Sequence, residues 1–404
     1  LFITSISAIT LALVSFTSSF AKVEGEYIVL GSAVSLTGKY SSNGVHTQNG
    51  YNLAVERINK MGGVKVGGKS YKFEIIYYDD ESNSGRAAQL AERLIKQDGV
   101  KYMLGPYSSG LTKAIAPVTE KHKIPMVEGN GASRSLFNKG YKYLFAVLTT
   151  ADNYLSESIP LAAEYAKMKG KNASDIKIAL AFENDPFSQD VRLGVIAKAK
   201  KFGMKIVIDD KLPRDLSDMS STLTKVRAVK PDLLVISGHS KGAATAARQI
   251  KEMKIKVPLI AMTHCEAAKV ISKFGDSTNG FLCPTQWSET MSYKDNLFGT
   301  AGEFDAKVKS TYEGYRNVPY QLAQAAAAVM VWKDALERAN SFDIAKVRQA
   351  LSDTDMKTFY GNIKFSAAGN NIAKPMALRQ IQKGKLNVVF PARWATNEVD
   401  WPRK

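Results

Sequence analysis

The stretch that decides the fold is 27–36, which reads YIVLGSAVSL. It is a nearly continuous apolar and β-branched run, which is typical of a strand buried on both faces of a parallel sheet. A Gly/Ser/Asn loop follows at 37–44, and the segment 51–61 then carries apolar residues on one helical face before Gly62-Gly63 ends it. This order of strand, loop and helix predicts the first unit of an α/β fold.

The same alternation continues along the chain in two runs, with helices between the strands. The further strands of the first run are predicted at 72–81, 100–107, 124–130 and 143–150. Those of the second run are predicted at 177–185, 205–210, 232–239, 258–264 and 280–287. Helices near 296–314, 319–339 and 342–352 precede short strands near 362–365, 376–383 and 386–390. No low-complexity linker separates the runs, which predicts two α/β lobes with a ligand cleft between them.

The composition excludes several classes of protein. Of the 404 residues, 45% are hydrophobic and 23% are charged, which is ordinary for a globular chain and excludes disorder or a polytopic membrane protein. The net charge of +17 would suit an anionic partner. The lysines are nevertheless spread over separate elements, with no long basic run and no basic stripe interleaved with aromatic residues. We therefore expect no nucleic-acid partner.

The beginning of the chain has the pattern of a targeting segment. Residues 1–21, LFITSISAITLALVSFTSSFA, contain no charge, and 6–16 is an apolar stretch of secretory length that is too short to span a bilayer. Ser19-Phe20-Ala21 is a small-x-small cleavage site. The segment predicts a cleavable signal peptide at 1–21 and export of the mature protein, while a buried N-terminal strand is the alternative.

Cysteine and histidine are too few and too scattered for a familiar metal motif. Cys265 and Cys283 are the only cysteines, and in an exported protein they either form one disulfide or stay two buried thiols. No CxxC, HxxxH or HExxH occurs, and GNGAS at 129–133 lacks the third glycine of a dinucleotide loop. We expect no metal site and no cofactor.

One motif favours an enzyme. The sequence GHSKG at 238–242 matches G-x-S-x-G between a strand and a helix, so Ser240 is a candidate hydrolase nucleophile. That fold requires an acid and then a histidine after the serine, and only His264 follows, too soon for an intervening acid-bearing strand. The alternative is a strand-to-helix turn whose glycines relieve backbone crowding, and we expect no enzymatic activity.

The stretch GPYSSG at 105–110 favours anion binding instead. It lies between the carboxyl end of a predicted strand and a helix, where open parallel sheets bind ligands. The N–H groups at a helix N-terminus and the hydroxyl of Ser109 would together suit a carboxylate. The alternative is that Ser109 only caps its helix.

Several of these stretches resemble the periplasmic leucine/isoleucine/valine-binding protein family. They are GSAVSLTGKYSSNG, GYNLAVERINKMGGV and YYDDES within 31–82, GPYSSG at 105–110, IPMVEGNGAS at 124–133 and GHSKGAATAARQ at 238–249. The resemblance covers nearly the whole mature chain and is strongest in the first half. It implies a solute-binding protein of an ABC transporter with the type I periplasmic fold, an α/β fold of two Rossmann-like lobes with central parallel sheets.

The resemblance also implies where the lobes divide. Three hinge crossovers would fall near 147–150, 284–288 and 355–360. The first lobe would then comprise 22–147 plus 286–357, and the second 148–285 plus 358–404.

Site residues carried over from the resemblance lie on both lobes. On the first lobe Ser109 would hold the ligand carboxylate, and Asn130 and Ala132 match backbone-contacting positions. Ala132 replaces the usual threonine, although Ser133 is adjacent. The remaining pocket positions that the family pattern implies are Asn43 at the rim, Phe187 and His239. Together with Asn43 and Phe187, Tyr107 is expected to give the pocket a mixed aromatic and polar lining.

Recognition of an ammonium is the main departure from the family pattern. Thr263 stands where amino-acid-binding members place a glutamate, with Glu266 three residues later and Glu183 and Asp185 on the same edge. A buried ammonium without acceptors would cost several kcal/mol. Either Glu266 or a neighbour therefore substitutes, or the ligand has no α-ammonium, as in relatives that bind aromatic acids or amides.

The expectation that follows is a monomeric periplasmic protein that captures a small carboxylate-bearing solute by hinge closure. An amino acid of the branched-chain type is expected first, delivered to the permease subunits of an ABC importer in the inner membrane. The alternatives are binding of an aromatic acid or amide, a ligand-sensing receptor module, and a serine hydrolase using Ser240.

Overall fold

The computed structural model of the protein describes residues 23–402. The predicted signal peptide at 1–21 lies outside the described residues. Among the helices that are described, none is long and apolar enough to cross a membrane.

The first lobe is built on a sheet with a largely parallel core. The run that begins at Tyr27 forms its second strand, whose residues from Ile28 to Val34 are all buried because helices cover both faces of the sheet. The strands of this sheet are β1 (Val23–Glu24), β2 (Tyr27–Val34), β3 (Val64–Val66), β4 (Lys69–Asp79), β5 (Tyr102–Leu104), β6 (Met126–Glu128) and β7 (Leu144–Ala146). Their order is β3-β4-β2-β5-β6-β7; β1 and β3 pair antiparallel with β2 and β4, and the other neighbours are parallel. Its first helices are α1 (Ser41–Lys60), α2 (Ser84–Lys96), α3 (Ser109–Lys121) and α4 (Arg134–Phe137).

The second lobe repeats this architecture. Its helices are α5 (Ser158–Met168), α6 (Pro186–Lys201), α7 (Ser220–Val229), α8 (Ser240–Glu252) and α9 (Ala268–Phe274). Its parallel strands are β8 (Lys177–Glu183), β9 (Lys205–Leu212), β10 (Leu233–Ser237), β11 (Leu259–Met262) and β12 (Phe281–Thr285). A disulfide between Cys265 and Cys283 joins the loop after β11 to β12. Of the two alternatives that the sequence left open, the cysteines therefore form one disulfide and are not two buried thiols.

The last part of the chain contributes to both lobes. After β12 come the short strands β13 (Lys294–Asp295) and β14 (Gly299–Thr300), the helices α10 (Ala301–Thr311), α11 (Tyr320–Ala339) and α12 (Ile344–Ser352), and the hairpin of β15 (Asp355–Thr358) and β16 (Gly361–Lys364). Helix α11 packs closely on α1, since a Cβ at Gly50 would lie 2.3 Å from the carbonyl oxygen of Leu322. The chain then returns to the second sheet as β17 (Ala377–Gln382) and β18 (Lys385–Phe390), which complete the order β18-β17-β12-β11-β10-β8-β9. Short 3₁₀ turns lie at 151–153, 173–175, 275–278 and 392–394.

The prediction of two α/β lobes with central parallel sheets is confirmed. The chain passes between the sheets after β7, after β12 and before β17. A bridge between Ala146 and Asn370 keeps the segment after β16 with the first sheet. The lobe boundaries stay a proposal, and this bridge favours a third crossover nearer residue 372 than the predicted 357.

Candidate functional site

The lobes enclose a small cavity where the carboxyl ends of the parallel strands of both sheets face each other. The centre of a water molecule can occupy about 10 Å³ of this cavity, so the cavity has room for about one water molecule. Its lining consists of Tyr107, Ser108, Ser109, Asn130, Ala132, Tyr154, Phe187, His239, His264, Tyr320, Gln321 and Gln324. Six of these residues were predicted from the sequence, namely Tyr107, Ser109, Asn130, Ala132, Phe187 and His239.

The N-terminus of α3 forms part of the first-lobe wall of the cavity. The Ser108 hydroxyl is buried and has no hydrogen-bond partner among the described residues. The Ser109 Oγ accepts a hydrogen bond of 3.0 Å from the backbone N–H of Ser133, so its own proton is free to be donated. The first N–H groups of the helix lack intrahelical partners and carry partial positive charge. Two hydroxyl donors at a helix N-terminus are suited to a carboxylate.

The loop after β6 supplies the adjoining wall. The Asn130 amide donates to Thr47 Oγ1 over 2.9 Å and accepts from Gln324 Nε2 over 2.7 Å, which holds it against α1 and α11. The backbone carbonyl of Ala132 accepts from the N–H of Ala151 over 2.7 Å. Both residues therefore shape the cavity while their polar groups are already engaged.

The second-lobe wall of the cavity is aromatic and includes the imidazole of His239. Phe187 packs edge-on against Tyr154, with ring centroids 5.1 Å apart. Burial alone would lower the pKa of His239, but the carboxylate of Asp185, 3.5 Å from His239 Nε2, raises that pKa above its ordinary value. Burial would raise the pKa of Asp185, but the same pairing lowers it. The pairing thus favours the charged form of each of the two side chains.

Tyr107 crosses the cleft to reach both histidines. Its hydroxyl oxygen lies 2.9 Å from His239 Nδ1, 2.9 Å from His264 Nε2 and 2.9 Å from Asn43 Nδ2. His264 Nδ1 lies 2.9 Å from the carbonyl oxygen of Gly238, so this nitrogen carries the proton and Nε2 accepts from the phenol. Burial lowers the pKa of His264 to about 3, which keeps this ring neutral.

Two further residues predicted for the site lie in an adjoining groove rather than in the cavity. The groove has a volume of about 890 Å³ and shares His264 and Gln321 with the cavity. Asn43 and Glu266 line the groove. The structure thus does not bring Glu266 to the cavity, although His264, two residues earlier, lines both spaces.

Ser133 and Thr263 line neither space. The Ser133 hydroxyl donates to the carboxylate of Asp190 on α6, which makes it a contact between the lobes. The Thr263 hydroxyl donates to the carbonyl oxygen of Gly238 over 2.8 Å and accepts from the N–H of Gly238 over 3.0 Å, so it ties β11 to β10. Both side chains point into hydrogen bonds within the protein, so the structure does not bring them to the cavity, and their role in ligand binding stays a prediction.

The geometry around Ser240 does not assemble a hydrolase triad among the described residues. The Ser240 hydroxyl exchanges hydrogen bonds with the Asn43 amide, at 2.9 and 3.2 Å. The glycines of the motif relieve crowding, since a Cβ at Gly238 or Gly242 would lie 2.9 or 2.7 Å from Glu183 Oε1. Both nearby histidines are engaged with Tyr107 instead.

One group of side chains has the spacing of a metal site. The ligating atoms of Glu183, Asp185 and His239 lie within 4.8 Å of one another. Burial raises the pKa of Glu183 to about 7. The ion pair between His239 and Asp185 accounts for this arrangement. Cys265, Glu266 and Cys283 form a second such group, but the two sulfurs are engaged in the disulfide.

Sequence reasoning missed six lining residues, namely Ser108, Tyr154, His264, Tyr320, Gln321 and Gln324. The last three lie at the start of α11, far along the chain from the loops of the first lobe. The one available signal was a pair of glutamines within the apolar first half of this helix, because such side chains need buried polar partners.

Comparison with known proteins gives consistent matches over most of the chain. A family model described as "Periplasmic binding protein" matches residues 28–385. A protein of Brucella suis named Leu/Ile/Val-binding protein homolog 8 is 26% identical over 391 residues, which cover 95% of this chain and 94% of that protein.

Solved structures share the fold. The LivJ substrate-binding protein of a branched-chain amino acid transporter from Streptococcus pneumoniae, in complex with isoleucine, superposes with a TM-score of 0.74 at 22% identity, over 90% of this chain and 99% of that one. A solute-binding protein of an ABC transporter from Rhodopseudomonas palustris, in complex with 3,4-dihydroxybenzoic acid, has a TM-score of 0.75 at 19% identity, over 89% and 95% of the two chains.

Proposed function

Because the chain belongs to the periplasmic binding protein family, we propose that it captures a small carboxylate-bearing solute between its lobes and delivers it to the permease of an ABC importer. The observation that carries this proposal is the N-terminus of α3 at the cavity. There the free Ser108 hydroxyl and the donatable proton of Ser109 face the space between the lobes. A carboxylate would satisfy both hydroxyls and the unpaired N–H groups together.

Two ligand classes have support. The Streptococcus pneumoniae neighbour holds isoleucine and the Brucella relative is named for leucine, isoleucine and valine, which favours a branched-chain amino acid. The Rhodopseudomonas palustris neighbour holds an aromatic acid. The second class gains support here from the rings of Tyr154, Phe187, His239 and Tyr320, which line the cavity.

The mechanism is hinge closure. The solute contacts the α3 N-terminus on one lobe and the aromatic wall on the other, so it binds the closed arrangement better than the open one. Direct contacts between the lobes then add to closure, as Tyr107 does with His239, and Asn43 with Ser240. In this proposal the mature protein acts as a monomer in the periplasm after removal of 1–21.

Titration calorimetry of the mature protein tests the proposal. The solutes are the common amino acids, benzoate and hydroxybenzoates, and the corresponding amides. We expect heat from at least one carboxylate and none from the matched amide. Silence towards every carboxylate would overturn it. Co-purification with a permease supports the importer role, whereas co-purification with a kinase would favour the receptor-module alternative.

A further inference from the structure

The edge of the second lobe that lies away from the cleft gathers lysines that are far apart in the sequence. Strands β8 to β11 begin at this edge and helices α5 to α8 end there, because each helix of a parallel α/β unit runs back along the sheet. Six exposed side chains at these helix ends and strand starts form what we call the lysine patch, namely Lys169, Lys171, Lys201, Lys205, Lys230 and Lys254.

Backbone contacts join the elements that carry the patch. The N–H of Lys205 donates to the carbonyl oxygen of Ile176 over 3.0 Å, and the first residues of β8 and β9, Lys177 and Lys205, are partners in the sheet. The guanidinium of Arg227 on α7 donates to the carbonyl oxygen of Met253, so the ends of α7 and α8 lie side by side. The fold thus brings together positive charges that the sequence keeps apart.

The charges of the patch are not neutralised by ion pairs. None of its six lysines pairs with an acid among the described residues, although other cations of this lobe do. Two acids near the patch are already engaged: Asp232 accepts a hydrogen bond of 2.9 Å from the N–H of Lys177, and Glu252 pairs with Arg248 over 2.9 Å. This edge therefore carries an excess of exposed positive charge.

The corresponding edge of the first lobe differs in this respect. Lysines at helix C-terminal ends are common because they complement the helix dipole, so their presence alone indicates no partner. On the first lobe such lysines lie beside acids: Lys60 pairs with Glu56, and both Lys96 and Lys121 pair with Glu92. The second lobe has the same arrangement of helix ends without these acids.

Apolar side chains are exposed among the lysines of the patch. Met168 and Val229, the last residues of α5 and α7, are 50% and 36% exposed. Tyr27, on the first lobe, is the one exposed aromatic side chain among the described residues. Lysines interspersed with exposed apolar side chains suit the head-group region of a bilayer, whereas single-stranded nucleic acid is bound by aromatic stacking. The composition of the patch therefore favours a lipid surface.

We propose that the lysine patch is an electrostatic docking surface for a bilayer that contains anionic phospholipids. Each lysine that comes close to such a surface adds to the attraction, so the grouped charges act together. The patch lies at the edge opposite the strand ends that face the cavity, so docking leaves the cleft free to open and close. The proposal goes beyond solute capture and stands without it; under the proposed function, docking holds the protein beside the membrane of its permease.

Co-sedimentation of the mature protein with vesicles tests this surface. One set of vesicles contains equal parts of phosphatidylglycerol and phosphatidylcholine, and the other contains phosphatidylcholine alone. We expect the protein to sediment only with the anionic vesicles. Raising the salt from about 0.01 M to about 0.15 M shortens the Debye length from about 30 Å to about 8 Å, so it should weaken this binding. Absence of binding to the anionic vesicles at low salt would overturn the proposal.

A fourfold variant assigns the binding to the patch. It combines Lys169→Gln, Lys171→Gln, Lys201→Gln and Lys205→Gln, and we expect its affinity for the anionic vesicles to fall on the order of tenfold or more. The matched control removes four exposed lysines of the first lobe that likewise form no ion pair among the described residues, and it should bind as wild type does. Its substitutions are Lys294→Gln, Lys307→Gln, Lys346→Gln and Lys357→Gln.

The two variants have the same net charge, so the comparison separates the patch from the overall charge of the protein. Equal binding by both variants would contradict the proposal. Circular-dichroism melting reports folding, and should the fourfold variant not fold, Lys169→Gln with Lys171→Gln, both outside helices and strands, takes its place against Lys294→Gln with Lys357→Gln. Tighter binding to duplex DNA than to the anionic vesicles at the same salt, lost in the patch variant alone, would overturn the lipid assignment.

Discussion

The phenol oxygen of Tyr107 on the first lobe lies 2.9 Å from Nδ1 of His239 on the second lobe. The pairing of His239 with Asp185 raises the pKa of the imidazole, which favours a stronger hydrogen bond across the cleft. The same phenol donates to His264, so a single side chain connects the first lobe to two strand ends of the second.

Replacing Tyr107 by phenylalanine is expected to favour the open arrangement of the lobes. The change removes the phenol from three hydrogen bonds and leaves His239 and His264 without this partner. The closed arrangement should lose about 1–3 kcal/mol. Small-angle X-ray scattering of the protein without added ligand should then give a larger radius of gyration. Tyr27→Phe, at an exposed position, is the control, and an unchanged radius in Tyr107→Phe would contradict the prediction.

Replacing Ser109 by alanine should weaken binding of a carboxylate ligand by about 1–3 kcal/mol, the cost of losing a charge-assisted hydrogen bond. Calorimetric titration of wild-type protein and variant with the best carboxylate measures this difference. Ser310→Ala, on the exposed side of α10, should bind as wild type does. If Ser109→Ala and wild type bind the carboxylate with equal affinity, Ser109 only accepts the hydrogen bond from the N–H of Ser133 and does not bind the ligand.

Ser240 should not react with a serine-directed fluorophosphonate. Its hydroxyl bonds to the amide of Asn43, and neither His239 nor His264 is placed to take its proton, because both rings are engaged with Tyr107. Intact-mass spectrometry after incubation should show no added phosphonate. Stoichiometric labelling that disappears in Ser240→Ala would restore the hydrolase hypothesis.

Titration of Glu128, a buried acid of the first lobe, should make the free energy of unfolding fall as the pH rises from about 4.5 to 7. Burial raises the pKa of Glu128 from its ordinary 4.5 to about 7. Between these values the native state keeps a proton that the unfolded chain has lost, so stability is full below 4.5 and is lost as the pH passes 7. The loss at this residue is about 3 kcal/mol at most.

Urea unfolding of wild type and Glu128→Gln across this pH range tests that expectation. The variant should show a flatter dependence of stability on pH, since its side chain does not titrate. Glu74→Gln, at an exposed position of β4, should follow the wild-type curve. Parallel curves for Glu128→Gln and wild type would show that Glu128 titrates normally.

The sequence predicts those parts of the site that follow directly from strand ends. The run from Tyr27 indicated a buried parallel strand, and the strand end at 105–110 indicated Ser109 as a contact for an anion, because ligands bind at the carboxyl edge of open parallel sheets. Asn130 and His239 were instead predicted from the resemblance to the family. Tertiary packing decides the rest. Which way a side chain points in the loop after β11 depends on its bonds to β10 and on the disulfide, so the sequence does not show that Thr263 and Glu266 lie outside the cavity.

The contribution of α11 was beyond sequence reasoning for a different reason. Gln321 and Gln324 reach the site only because the helix crosses back onto the first lobe and packs closely on α1 at Gly50. Such a long-range contact leaves no local pattern in the sequence other than two amides among apolar neighbours.

The covalent bond between Cys265 and Cys283 also sets an order of events during maturation. Thiols stay reduced in the cytosol, so an exported chain acquires this bond only after it has left that compartment. Until then the loop after β11, which carries His264, is not held covalently to β12. Under the proposed function, this wall of the cavity is therefore fixed only after export, in the compartment where the solute is proposed to be captured.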